Sequence, residues 1–113
     1  MERVPEQSQK NRVTMEFPNT TERIRYRFIG HVQHRGFRYA CVVCAEKAGV
    51  SGWVRNERNG TVTAEAQGTP EAHLAFVRRL TQLVTGFGNT WSVGSEKHVD
   101  VVEQEKGFSV RRY

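Results

Sequence analysis

Ile24, Tyr26 and Phe28 alternate with Arg23, Arg25 and Arg27. Branched and aromatic residues at every second position, with charges between them, predict a strand that turns one face to a core. The strand ends near Gly30 to Val32. From Arg38 to Ala48 the period changes: Cys41, Cys44, Ala45 and Ala48 recur at i, i+3, i+4 and i+7, which is one face of a helix. Gly49 stands where a left-handed cap would stop that helix. The run VSGWVRN predicts a second strand, Asn59-Gly60 a tight hairpin turn, and TVTAEAQ a third strand. In that third strand Val62, Ala64 and Ala66 fall on one side and Thr61, Thr63, Glu65 and Gln67 on the other.

The strongest helix follows. Thr69 is a good N-cap, Pro70 fits the first helical position, and Glu71 complements the helix dipole. His73, Phe76, Val77, Leu80 and Val84 mark its buried stripe, and Gly86 and Gly88 end it. Trp91 to Gln104 carries a weaker strand pattern interrupted by GSEK, and GFSVRRY supplies a short last strand after Gly107. The order is βαββαβ with one extra short C-terminal strand. Two helices on one face of an antiparallel sheet make an α+β, ferredoxin-like sandwich.

The length of 113 residues suits one domain, and 37% hydrophobic with 26% charged residues suits a globule with a core. Residues 1–20 differ: they are polar, aperiodic and hold two of the three prolines, and so predict a disordered extension ahead of a domain at 21–113. That extension lacks the apolar stretch of a signal peptide. No run approaches the roughly 18 apolar residues of a membrane span. Both features point to the cytoplasm and away from a membrane partner. Two cysteines fit buried or free thiols rather than a disulfide framework. A net charge of +5 is compatible with solubility, an anionic ligand or a nucleic acid, and does not choose among them.

Chemistry concentrates in RFIGHVQHRGFRYA, residues 27–40. A strand runs into a glycine-bearing loop and then into a helix start. The first-turn N–H groups of such a helix have no partner of their own, and the dipole favours an anion there. Arg38 adds a planar fork of donors suited to phosphate oxygens, and Gly36 lets the backbone approach a ligand. The plain alternative is a surface arginine that binds nothing.

Two other chemistries fit less well. His31-x2-His34 and Cys41-x2-Cys44 pair like zinc ligands, but only six residues separate the pairs, where finger-like sites use about 12 or more. The cysteines also fall on the apolar helix face, where they act as small hydrophobes. RGFRYACV partly matches the consensus of an RNA-recognition motif. That consensus belongs on a third strand, and Arg38 occupies its Gly/Ala position. His73 reads as a helix-stripe residue, His98 as exposed, and Trp53 and Trp91 as packing. Glu65, Glu96, Asp100, Glu103 and Glu105 show no pairing suited to acid–base work, and the arginines of the first strand read as a solvated face.

The segment GHVQHRGFRYACVVCAEKAGVSGWVRNERNGTVTAEAQG resembles the acylphosphatase family. Gly30, Val32, Gln33, Phe37 and Arg38 match the family's G-x-V-Q-G-V-x-F-R element. Ala45, Gly49, Gly52, Trp53, Val54, Asn56, Gly60 and Gly68 match its later elements in register, and GFSVR matches its terminal G-F-x-I-R. The resemblance covers about residues 23–112. It implies the βαββαβ sandwich and hydrolysis of the carboxyl–phosphate bond of acyl phosphates, by a monomer with no metal and no cofactor. The implied partners are a small acyl phosphate and inorganic phosphate, not nucleic acid. Arg38 and the loop Gln33, His34, Arg35, Gly36, Phe37 would bind the phosphoryl oxygens. Asn56 would hold the attacking water, where a turn asparagine is the plain alternative. Where the family has Gly-Val this chain has His34-Arg35. A histidine held at positive φ there costs on the order of 1 kcal/mol. A weak or inactive phosphate-binding relative is the alternative reading.

Overall fold

The computed structural model describes residues 20–33, 36–85 and 91–112. Residues 1–19, which carry nearly all of the expected extension, fall outside that range, and so do His34 and Arg35. The elements are β1 (Glu22–Gly30), α1 (Phe37–Ala48), β2 (Ser51–Asn56), β3 (Val62–Gly68), α2 (Pro70–Thr85), β4 (Trp91–Val99) and β5 (Phe108–Arg111). Five strands form one sheet in the order β4-β1-β3-β2-β5.

The core lies between one face of this sheet and the two helices. Ile24, Tyr26, Phe28, Val54, Val62, Ala64, Ala66 and Phe108 come from the strands, and Ala40, Cys41, Cys44, Ala45, Phe76, Leu80 and Val84 from the helices. Cys41 and Cys44 are thus core side chains, and burial pushes both thiols up from their ordinary pKa. The helix ends obey their local sequence. The Gly49 N–H donates to the Ala45 carbonyl from a left-handed φ of 82°, and the Ala72 N–H donates to Thr69 Oγ1 at 3.1 Å.

The sheet departs from the expected antiparallel one: it is mixed. β5 runs parallel to β2, with Gly52 opposite Phe108 and Val54 opposite Val110. The reason is the route of the chain. β4 and β5 lie at opposite edges, and the connection 100–107 reverses direction as it crosses between them. β5 therefore arrives pointing with β2, which runs opposite to β4. The expected break at GSEK is also absent. β4 is continuous from Trp91 to Val99, and the misfit is absorbed by a register shift between Arg27 and Phe28 that leaves Gly94 as the extra residue. The hairpin at Asn59-Gly60 is wider than a two-residue turn. Gly60 alone of the pair has positive φ, its N–H donates to the Glu57 carbonyl, and the Glu57 N–H donates to Thr61. That is the three-residue form with a left-handed glycine.

The helix-free face is not the solvated surface expected from the sequence. Arg23 is only 2% exposed, and Glu65 of β3 is 7% exposed. Arg23 Nε donates to Glu65 at 2.7 Å, and its Nη1 donates to Glu105 at 2.7 Å and to Gln67 at 3.1 Å. Arg25 donates to the other oxygen of Glu65 at 2.8 Å. Gln67 exchanges two hydrogen bonds with the backbone of Val102, so the 100–107 connection is clamped onto this face. Burial raises the carboxyls of Glu65 and Glu105, but the arginine hydrogen bonds and charges outweigh it and hold both below the usual range. Depressed folded-state values contribute stability that is present above the unfolded pKa and lost as pH falls through the folded one. Urea melts should therefore show stability falling as pH drops below about 4.5, the ordinary glutamate value. Glu65→Gln should cost about 3 kcal/mol at neutral pH and flatten that acid limb. An unchanged melt would show the network contributes nothing.

His73 lies in the buried stripe as expected, 5% exposed. Its Nε2 donates to the Glu22 carbonyl at 2.9 Å, because that oxygen can only accept. In the neutral ring Nδ1 then accepts from the Tyr26 hydroxyl at 2.8 Å. Burial pushes the Tyr26 hydroxyl far above its usual range and so keeps it a donor.

Candidate active site

The end of β1 and the first turn of α1 are held together by aromatic packing. Phe28, Phe37 and Trp91 meet edge-on, with ring centroids 5.3 Å apart for Phe28–Phe37 and Phe37–Trp91. Phe37 is 2% exposed. Its side chain belongs to the core, and its backbone N–H is what it can offer a ligand. Gly36 caps α1 at φ 78° with no side-chain cap. A Cβ at Gly36 would meet nothing within 4 Å, so it is the left-handed backbone and not crowding by protein that calls for glycine there. The first-turn N–H groups of α1 thus remain available to an anion.

Gln33 fixes the other end of the loop. Its Nε2 donates to the carbonyls of Glu57 at 2.5 Å and Thr61 at 2.8 Å, which flank the β2–β3 turn. The Gln33 side-chain amide is therefore a tie between loop and hairpin. His34 and Arg35, the remaining loop residues expected to bind phosphate, lie outside the described residues.

Arg38 and Asn56 do come together. They line one cleft with Arg111 and Arg112. Asn56 ends β2 on the helix-facing side, two residues after core Val54. Its Oδ1 is buried and has no hydrogen-bond partner among the described residues. Arg38 is half-buried and likewise makes no hydrogen bond or ion pair among them. Among the described residues no Asp or Glu lines the cleft, and three arginines give it a positive field. A second lobe shares Arg38 and Arg112 with the first, and is lined also by Gln33, Gly36, Phe37, Tyr39 and Val110.

Sequence reasoning missed Arg111, Arg112, Tyr39 and Val110. The two arginines read only as the end of the short last strand, yet strand parity was a usable signal. Phe108 faces the core, so Val110 and Arg112 face the same side. Continuing the β2–β5 register by one step sets Arg112 beside Asn56. Arg111 is steadied from the opposite face, where its guanidinium lies 4.8 Å from the Trp53 ring centroid, with that of Arg55 at 5.0 Å.

Fold and cleft describe a ferredoxin-like domain with a cationic site at one end of its sheet. Comparison with known proteins is more specific. The Acylphosphatase family model matches residues 24–110. An acylphosphatase of Bifidobacterium longum is 41% identical over 87 residues, covering 74% of this chain and 84% of the relative. One of Lactiplantibacillus plantarum is 41% identical over 76 residues, covering 67% and 78%. The crystal structure of acylphosphatase from Bacillus subtilis superposes with a TM-score of 0.65 at 28% identity, covering 80% of this chain and 98% of that one. The chain belongs to the acylphosphatase family. By these relatives and by its fold it is an acylphosphatase, a hydrolase.

Proposed function

We propose that the chain hydrolyses small acyl phosphates to a carboxylate and inorganic phosphate, without metal or cofactor, as a cytoplasmic monomer. Arg38 binds the phosphoryl oxygens with the backbone N–H groups of the Gln33–Phe37 loop, and Asn56 orients water. The observation that carries this reading is the pairing in one cleft, free of acidic side chains among the described residues, of an arginine and a buried amide oxygen that those residues leave without hydrogen-bond partners. That oxygen can accept a proton of the attacking water and so aim its lone pair at phosphorus.

The chemistry asks little more of the protein. The water oxygen bonds to phosphorus while the bond from phosphorus to the carboxyl oxygen breaks, and its electron pair leaves on the carboxylate. The water protons end on phosphate and solvent. A carboxylate leaves readily, so no strong general acid is required. The transition state is loose, so positioning and cationic stabilisation are the main demands. Among the described residues no helix is long and apolar enough to cross a membrane.

The test is benzoyl phosphate hydrolysis by the purified chain in EDTA, beside a His34→Gly, Arg35→Val double variant. Turnover by the unmodified chain, inhibited competitively by inorganic phosphate, is the expected result. Turnover by the double variant alone would mean that the loop of this chain blocks the reaction.

A further inference from the structure

The cleft has two lobes that meet at Arg38 and Arg112, and they differ in character. The lobe with Asn56 is cationic and polar. The other holds Tyr39 and Val110, which are 72% and 47% exposed although both are large apolar side chains. In-line displacement at phosphorus sets the attacking and leaving oxygens on opposite sides of the phosphoryl group. With water held at Asn56 and phosphoryl oxygens at Arg38, the leaving carboxylate and its acyl group point away from Asn56, and the lobe that shares Arg38 and Arg112 but lacks Asn56 is the one that can receive them.

We infer that Tyr39 and Val110 form the acyl-group subsite, with Arg112 at its rim, and that they select acyl phosphates with a flat aromatic or branched apolar acyl group over short ones. This rests on the roles given above to Arg38 and Asn56. Tyr39 stands in the first turn of α1, one residue after Arg38, and its ring offers a rigid face against which an aryl acyl group can stack. Val110 faces it from β5, the strand whose parallel pairing with β2 brings it to the cleft. Arg112 lies beyond the span matched by the family model and lines both lobes. From there its guanidinium reaches the carboxylate oxygens on which the electron pair leaves.

The experiment compares kcat/KM for benzoyl phosphate and acetyl phosphate in the unmodified chain, Tyr39→Ala, Tyr39→Phe and Val110→Thr. Tyr39 is too exposed for its truncation to disturb the core, and thermal melts verify that each variant is folded. The ratio of benzoyl to acetyl kcat/KM should fall about tenfold in Tyr39→Ala and several-fold in Val110→Thr, and recover in Tyr39→Phe. Hydrolysis of both substrates with an unchanged ratio in Tyr39→Ala and Val110→Thr overturns the subsite and leaves the acylphosphatase reading standing. Failure of the unmodified chain to hydrolyse either substrate overturns both.

Discussion

Arg38→Ala should abolish both phosphate binding and turnover, lowering kcat/KM by about a thousandfold or more. Arg38 makes no hydrogen bond or ion pair among the described residues, so the substitution removes no polar tie within them. Its thermal midpoint without ligand should scarcely move, while the stabilisation that inorganic phosphate gives the unmodified chain should vanish. Arg38→Lys should recover little, because an ammonium cannot present two parallel donors to a tetrahedral anion. Calorimetric titration with phosphate and steady-state hydrolysis read the two effects separately. Phosphate affinity surviving in Arg38→Ala would move the anion site elsewhere.

Asn56→Ala should behave in the opposite manner. Its kcat should fall about a hundredfold, whereas the inhibition constant for phosphate should stay within about twofold. The unpartnered Oδ1 adds a second readout. A buried acceptor without a partner among the described residues is a liability of about 1–3 kcal/mol, so its removal should leave stability unchanged or raise it by about 1 kcal/mol. A residue that merely closed the turn after β2 would lose stability when truncated. Lower activity together with greater stability is thus the signature of a group kept for its chemistry. An unchanged rate would remove its assigned role.

What was legible in the sequence was what neighbouring residues decide. The arginine–apolar alternation of β1, the Gly49 stop and the Thr69-Pro70 start are settled within a few residues, and each stands where the pattern set it. Arg38 and Asn56, the residues proposed for the site, were singled out through the family motif, and the folded chain brings them to one cleft. What was not legible depends on partners far along the chain. The burial of Arg23 rests on Glu65 and Glu105, 42 and 82 residues away, and no local pattern distinguishes it from the exposed Arg25. The direction of β5 is set by which edge the chain reaches. The continuity of β4 through Gly94 rests on a register shift opposite Arg27 and Phe28, at a position where a Cβ would press on Ile29 at 2.9 Å. Tyr39 and Val110 come from elements that meet only in the folded chain.

The Gln33 tie has a consequence for where this domain tolerates engineering. Tips of hairpins are ordinarily the favoured places to graft peptides or open a chain. Here the two carbonyls read by one amide belong to Glu57 and Thr61, on either side of the Asn59-Gly60 tip. A graft at Asn59-Gly60 that spread those carbonyls would free Gln33, and with it the loop leading into Arg38. The tip then serves as an input: a sensing peptide spliced there, opening or closing as it binds its target, would report through the rate of hydrolysis.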